Sequence, residues 1–221
     1  MSHFNKDFLD FLKDLSNNNN RDWFKENKKR YELSVKIPFE HFVQDLINRI
    51  HEIDERIMIT PKEAIFRIYK DVRFSKDKRP YKEQVSAVIS QGGRKDFTTP
   101  GTYVELHHDN WKVYGGAYFL EKDQLHSLRE HIAQNLDEFE KLMKEKEFKK
   151  WFGEIRGDAN KRIPKEFNEV FEKQPLIANK QFYYFARLEP KKLLAKNMMD
   201  TVMQIYKASL PMNDFIEDGM K

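Results

Sequence analysis

Cysteine is absent from the 221 residues, which excludes disulfides, thiol catalysis, cysteine-ligated zinc and iron–sulfur clusters. Glycine and proline occur eight times each, too seldom for a collagen-like or low-complexity chain. Apolar runs stop at about five residues, as in Phe182 to Ala186, so none is long enough to span a bilayer. A strong excess of one charge is also missing: 40 Lys and Arg face 36 Asp and Glu, a net of +4. Duplex-binding modules carry a far larger basic excess. The opening turn holds Lys6, Asp7 and Asp10 among its aromatics and lacks the apolar core of a signal peptide. What is present is 39% hydrophobic residues, enough to offset the entropy of folding. These features predict a soluble, cytoplasmic protein without membrane contact, one domain over residues 1–221.

The first sixty residues have helical period. Phe4, Phe8, Phe11, Leu12 and Leu15 form one stripe, and the Asn17–Asn20 run breaks it because Asn favours turns and helix N-caps. A second helix is expected from Arg21, with Trp23, Phe24, Asn27 and Tyr31 on one side. A third starts near Pro38 and carries the longest stripe: Phe39, Phe42, Val43, Leu46, Ile47, Ile50 and Ile53. After Thr60-Pro61 the period changes. Ala64 to Tyr69, Gln84 to Ser90, Gly101 to His108 and Trp111 to Phe119 read as strands of an antiparallel meander. A two-residue turn at Asp109-Asn110 makes opposite partners sum to 219, pairing Leu106 with Val113 on an apolar side and Glu105 with Tyr114 on a polar one. Helices return at Asp123, with Asp137 and Glu140 at capping-box spacing and Gly153 as a stop. Lys161 to Pro175 reads as loop, Gln181 to Leu188 as a last strand, and one final helix follows Pro190. The fold class is α+β: N-terminal helices, a central antiparallel β-meander, C-terminal helices.

Charge is concentrated in residues 67 to 82, where seven basic residues face two acidic ones, a net of +5 that leaves the remainder at −1. Arg67, Arg73, Lys76 and Lys82 supply the grip for phosphate or carboxylate, with Ser75 as a neutral donor and Tyr69 and Tyr81 as flanking rings. Asp71 and Asp77 either hold the guanidinium groups or bind a metal, and strand residues Tyr103 and Glu105 complete the candidate set. A charged loop between strands also reads as solvated surface, and residue pattern alone leaves that alternative open. No metal centre is expected, because His107 and His108 point to opposite faces of a strand and His126 and His131 are poorly spaced on a helix. Gly92-Gly93-Arg94-Lys95 has neither Walker nor Rossmann spacing, so no cofactor is assigned. Gly115-Gly116 within a strand marks a bulge or a close approach by another group.

The string from Phe66 to Lys82 resembles the central motif of the uncharacterised, mostly bacterial family known as domain of unknown function 2461. The resemblance extends to Asn18-Asn19-Asn20-Arg21-Asp22-Trp23-Phe24, Lys29-Arg30-Tyr31, Gly92-Gly93, Pro100 to Tyr103, Gly115-Gly116, Phe148 to Gly153 and Lys161 to Phe167. It implies a one-domain protein of similar length and no particular reaction. After Lys82 the chain departs from the family pattern: Glu83-Gln84-Val85-Ser86-Ala87 replaces an apolar or aromatic stretch with Thr, His and Gly, which removes a histidine as general base there.

Three functions follow as expectations. The leading one is binding of an anionic, phosphate-bearing small molecule or a nucleic-acid backbone through residues 67–82. The second is an enzyme of phosphoryl or hydrolytic chemistry using Asp71 and Glu105 with Arg67 and Arg73. The third is a partner-binding protein without catalysis, its basic loop meeting an acidic surface.

Overall fold

A computed structural model of the chain describes residues 2–96 and 99–221. Its four strands are β1 (Val85–Ile89), β2 (Thr102–Leu106), β3 (Trp111–Ala117) and β4 (Phe182–Leu188), in the spatial order β1-β2-β3-β4. The sheet is antiparallel and helices flank it in sequence on both sides, the α+β arrangement that the change of period predicts. Among the described residues no helix is long and apolar enough to cross a membrane.

The chain divides into two compact units. One comprises Met1–Lys95, Tyr103–Val113 and Arg187–Met203; the other comprises Asp96–Thr102, Tyr114–Ala186 and Gln204–Lys221. In the first, α1 (Lys6–Asn17) buries Phe8, Phe11, Leu12 and Leu15, the stripe read from the sequence. Asn5 starts α1 and Asn20 starts α2 (Arg21–Glu26), each accepting a backbone N–H with its side chain. The expected second helix is split at Asn27, and α3 (Lys28–Tyr31) passes through a π-helical turn, Glu32–Lys36, into α4 (Ile37–His51). Helix α4 buries Phe39, Phe42, Val43, Leu46, Ile47 and Ile50, but ends before Ile53, which is exposed.

Of the strand expected from Ala64 to Tyr69, Ala64 lies in a single helical turn, α5 (Pro61–Ala64), and the rest pairs antiparallel through isolated bridges at Ile65 and Tyr69 rather than as a regular strand. The Glu63 carboxylate accepts from the Thr60 amide at 2.9 Å and its hydroxyl at 2.7 Å, a local cap that holds Ala64 in the turn. The hairpin register also differs. The His107 amide donates to the Asn110 carbonyl at 2.9 Å, so the turn is His108-Asp109 and partners sum to 217. Glu105 therefore faces Lys112 rather than Tyr114, and the two are linked at 3.1 Å. A shift of two keeps every side chain on its expected face: Val104, Leu106, Trp111 and Val113 are buried.

In the second unit, α6 (Lys122–Gln134) starts with a capping box of Glu121 and Gln124, and α7 (Leu136–Lys144) starts at Asn135 without the expected Asp137–Glu140 box. Helix α8 (Lys146–Trp151) ends near Gly153, whose φ of +74° suits glycine. The expected loop at 161–175 contains α9 (Asn168–Lys173). Two helices, α10 (Pro190–Leu193) and α11 (Met198–Gly219), replace the one expected after Pro190. Phe24 and Phe152 are buried, whereas their neighbours Trp23 and Trp151 are only half-buried. Both strand glycines meet a close approach: a Cβ on Gly115 would lie 2.6 Å from the Tyr184 ring, and one on Gly116 2.1 Å from the Phe182 carbonyl.

Candidate functional site

Residues 65–87 form an irregular antiparallel ribbon. Phe66 donates to Ser86, Lys82 to Ile68 and Lys70 to Pro80, and Tyr69 bridges Tyr81. Ile68 is buried while Arg67 and Tyr69 on either side are exposed, as alternation in extended backbone requires. The stretch from Lys70 to Pro80 projects as an arm whose cations are largely occupied by their own carboxylates. Asp71 accepts two bonds from the Arg73 guanidinium, at 3.1 and 2.8 Å, and one from its amide. Arg79 bonds Asp77 in the same way and also Glu83. Lys70 reaches Asp77 at 2.7 Å, and Lys78 donates to the Val72 carbonyl. The Asp71 carboxyl is held below its usual range by hydrogen bonds from Arg73, and that of Asp77 well below it by Arg79 and then Lys70.

Two further basic residues of the motif, Arg67 and Lys82, line a cleft of about 1060 Å³ together with Tyr69. Its opposite wall is a row at every fourth residue: Lys28, Glu32, Lys36, Glu40 and Gln44. Lys62 and Arg94 stand at the α5 end, where the Arg94 guanidinium donates to the Lys62 and Ile65 carbonyls and so braces that turn. Phe24, Tyr31, Phe66 and Tyr69 give the cleft aromatic surface. The Lys82 ammonium lies 5.1 Å from the centre of the Phe66 ring. Burial, and then the nearby Arg67 charge, push its pKa down. Burial pushes the Tyr31 phenol up, and the neighbouring Tyr69, Glu40 and Glu32 add to that.

The aromatic base of the ribbon is rigidly built. Phe24 stacks on Tyr81 with ring centres 4.0 Å apart and planes 18° from parallel. Tyr31 lies 5.2 Å from Phe24, and Tyr69 5.5 Å from Tyr81. Tyr81 is therefore a buried support beneath the cleft rather than one of its lining rings.

Of the residues singled out by sequence, Arg67, Tyr69 and Lys82 come together in the cleft, whereas Asp71, Arg73, Ser75 and Lys76 belong to the arm and do not line it. Tyr103 packs edge-on against Phe66 at 6.0 Å, and its hydroxyl donates to Glu105 at 3.2 Å. Glu105 is bound further by Lys112 at 3.1 Å and His107 at 3.2 Å. Burial works to raise the Glu105 carboxyl, but the bonds from His107 and Lys112 outweigh it and hold the pKa at about 2. Asp71 and Glu105 are thus held by different partners and form no acid/base pair. Among the described residues no group of three or more His, Asp or Glu side chains is placed to hold a metal. Lys28, Lys36 and Lys62 escape the motif-based reading. The signal that marks the first two is the alternation of Lys and Glu at four-residue spacing from 28 to 40.

A second, smaller cavity of about 620 Å³ adjoins α4, where His3 meets Asp45 at 2.7 Å and Arg49 meets Asp200 at 2.8 Å. A family model described as "Conserved hypothetical protein (DUF2461)" matches residues 7–215. No curated protein and no solved structure matches the chain.

Proposed function

We propose, from the premise that the chain belongs to the DUF2461 family, that it binds a phosphate-bearing ligand in the cleft between the Lys28–Gln44 row and the Arg67–Tyr69 segment. The observation that carries this reading is the uncompensated charge of that cleft. Lys28, Lys36, Lys62, Arg67, Lys82 and Arg94 line it against only Glu32 and Glu40. Lys36 is within 3.8 Å of Glu40, but among the described residues Lys28, Lys62, Arg67 and Lys82 have no carboxylate within ion-pair distance. Like charges held together around a concave surface raise the local concentration of anions. Arg67 offers a planar fork for phosphate oxygens, and the lysines offer mobile point charges. The aromatic surface suits a ligand that also carries a planar or apolar part. We place this binding in the cytoplasm, where phosphorylated small molecules and nucleic acids are abundant.

The enzymatic alternative built on Asp71 and Glu105 acting together has less support, because Arg73 holds the first carboxylate and His107 and Lys112 hold the second. The test of binding is a thermal-shift panel of inorganic phosphate, mononucleotides and sugar phosphates at low and moderate salt. A ligand at about a hundred times its dissociation constant raises stability by roughly 2.7 kcal/mol, which for a chain of this size is about 5–10 °C in Tm. Arg67→Ala and Lys28→Ala abolish the shift while leaving the unliganded Tm within a few degrees. A wild-type protein indifferent to every anion would refute the reading.

A further inference from the structure

We propose that the ligand of this cleft is a short single strand of nucleic acid, whose path continues from the cleft along the arm to Phe74. The proposal rests on the anion-binding reading above and adds the class of ligand to it. Phe74 is 96% exposed near the end of the arm, the most exposed of the large apolar side chains described. The Arg73 guanidinium lies 5.8 Å from its ring centre, so one ring face already carries a cation. Lys76, two residues on, is exposed and has no ion-pair partner among the described residues. At the base of the arm Tyr69 is 52% exposed and lines the cleft beside Arg67 and Lys82. Phe74 follows Tyr69 by five positions, a span of at most about 18 Å between their backbones when extended.

The arrangement is a phosphate-gripping cleft with one open aromatic ring in it and a second beyond it, flanked by cations. This is the combination that holds single strands: cations track the backbone while each aromatic ring takes one base face, with little regard to sequence. A small phosphate would be satisfied by the cleft and would leave Phe74 without a role. In a duplex the base faces are stacked on one another and closed to Tyr69 and Phe74, whereas a single strand presents them. A concave cation site with its own aromatic surface matches a strand better than the flat face of a bilayer, so the arm is not assigned to lipid.

The test is fluorescence anisotropy with labelled ten-nucleotide oligo-dT and oligo-rU. A duplex of equal length and anionic phosphatidylserine vesicles serve as competitors, at two salt concentrations. Wild-type protein is expected to bind both single strands, more weakly at the higher salt. Phe74→Ala, at a solvent-exposed position, is expected to weaken that binding about tenfold, with Tm and the response to inorganic phosphate unchanged. Arg67→Ala loses both the oligonucleotide and the phosphate response. Oligonucleotide binding that is indifferent to Phe74→Ala, duplex binding as tight as single-strand binding, or displacement by vesicles alone would each overturn the proposal. If phosphate stabilises the protein through Arg67 while no oligonucleotide binds, the cleft reading stands and this inference fails. If neither phosphate nor oligonucleotide is bound, both fail.

Discussion

The side-chain amide of Asn19 pairs with both main-chain groups of Tyr81, accepting from its N–H at 3.1 Å and donating to its C=O at 3.0 Å. At the Tyr69–Tyr81 bridge the ladder bonds are made by Lys70 and Lys82. Tyr81's own N–H and C=O therefore point away from its strand partner. Asn19 takes the place of a third strand there, so an Asn in the turn after α1 closes the edge of a ribbon 62 residues further along the chain.

Replacing Asn19 with Ala leaves both Tyr81 groups to find water. The expected cost is about 1–2 kcal/mol, read as a lowered urea midpoint. Hydrogen exchange at the amides of Lys70, Tyr81 and Lys82 should accelerate more than exchange in α4. Uniform acceleration across the chain would contradict the assignment of Asn19 to the ribbon.

Glu105 gives the stability a pH dependence of definite sign. Its folded pKa of about 2 lies below its ordinary value of 4.5, so its contribution is complete above pH 4.5 and is lost as pH falls toward 2. After allowance for screening by solvent the contribution is about 2 kcal/mol. Glu105→Gln is expected to be less stable than wild type at pH 7 and to have a flatter stability profile between pH 5 and 2. Parallel profiles for the two proteins would disprove it.

At Gly116 the φ of +86° and the Phe182 carbonyl both exclude a side chain. Gly116→Ala is expected to cost about 3 kcal/mol, combining left-handed strain with overpacking, or about 8 °C in Tm. Calorimetry of the variant decides this, and a change of under 2 °C would contradict the close approach.

The Asn213 Oδ1 accepts from the Tyr184 hydroxyl at 2.6 Å and from the Gly116 amide at 2.8 Å. Tyr184→Phe removes one donor and strands no acceptor, at about 1 kcal/mol. Asn213→Ala leaves the Gly116 N–H without its acceptor and is expected to cost about twice that. Denaturant titration that ranks the two in the opposite order would show that the network is held elsewhere.

Much of this architecture is legible in the sequence because burial follows period. The stripes of α1 and α4 and the alternating faces of β2 and β3 are set by which residues avoid water, and no local preference opposes them. Residue types favour Asp109-Asn110 as the hairpin turn, whereas the bond from His107 to Asn110 closes it one residue earlier and shifts the pairing sum by two. The basic motif is visible as a charge cluster, but charge along the chain does not say which cations find partners. Arg73 and Arg79 each follow an Asp by two residues, and both are neutralised locally. Arg67 has no such neighbour and faces the cleft. Lys62 comes from outside the motif, and only the fold brings it there.

The π-helical turn Glu32–Lys36 acts on the cleft as a phase corrector. A row taken at every fourth residue of an α-helix drifts about 40° around the axis at each step, so Lys28 and Gln44 would end up on very different sides of an unbroken helix. One turn wound i→i+5 holds more residues per turn, rotates less per residue and so offsets part of that accumulated drift. Angular alignment of the wall thus depends on chain length between Lys28 and Lys36 as much as on what those residues are. Loss of a single residue from that turn would let it close as ordinary α-helix, with the two lysines seven positions apart and within about 20° of one face. Loss of a second would swing them about 120° apart, removing one from the cleft while every charged side chain remained in the protein.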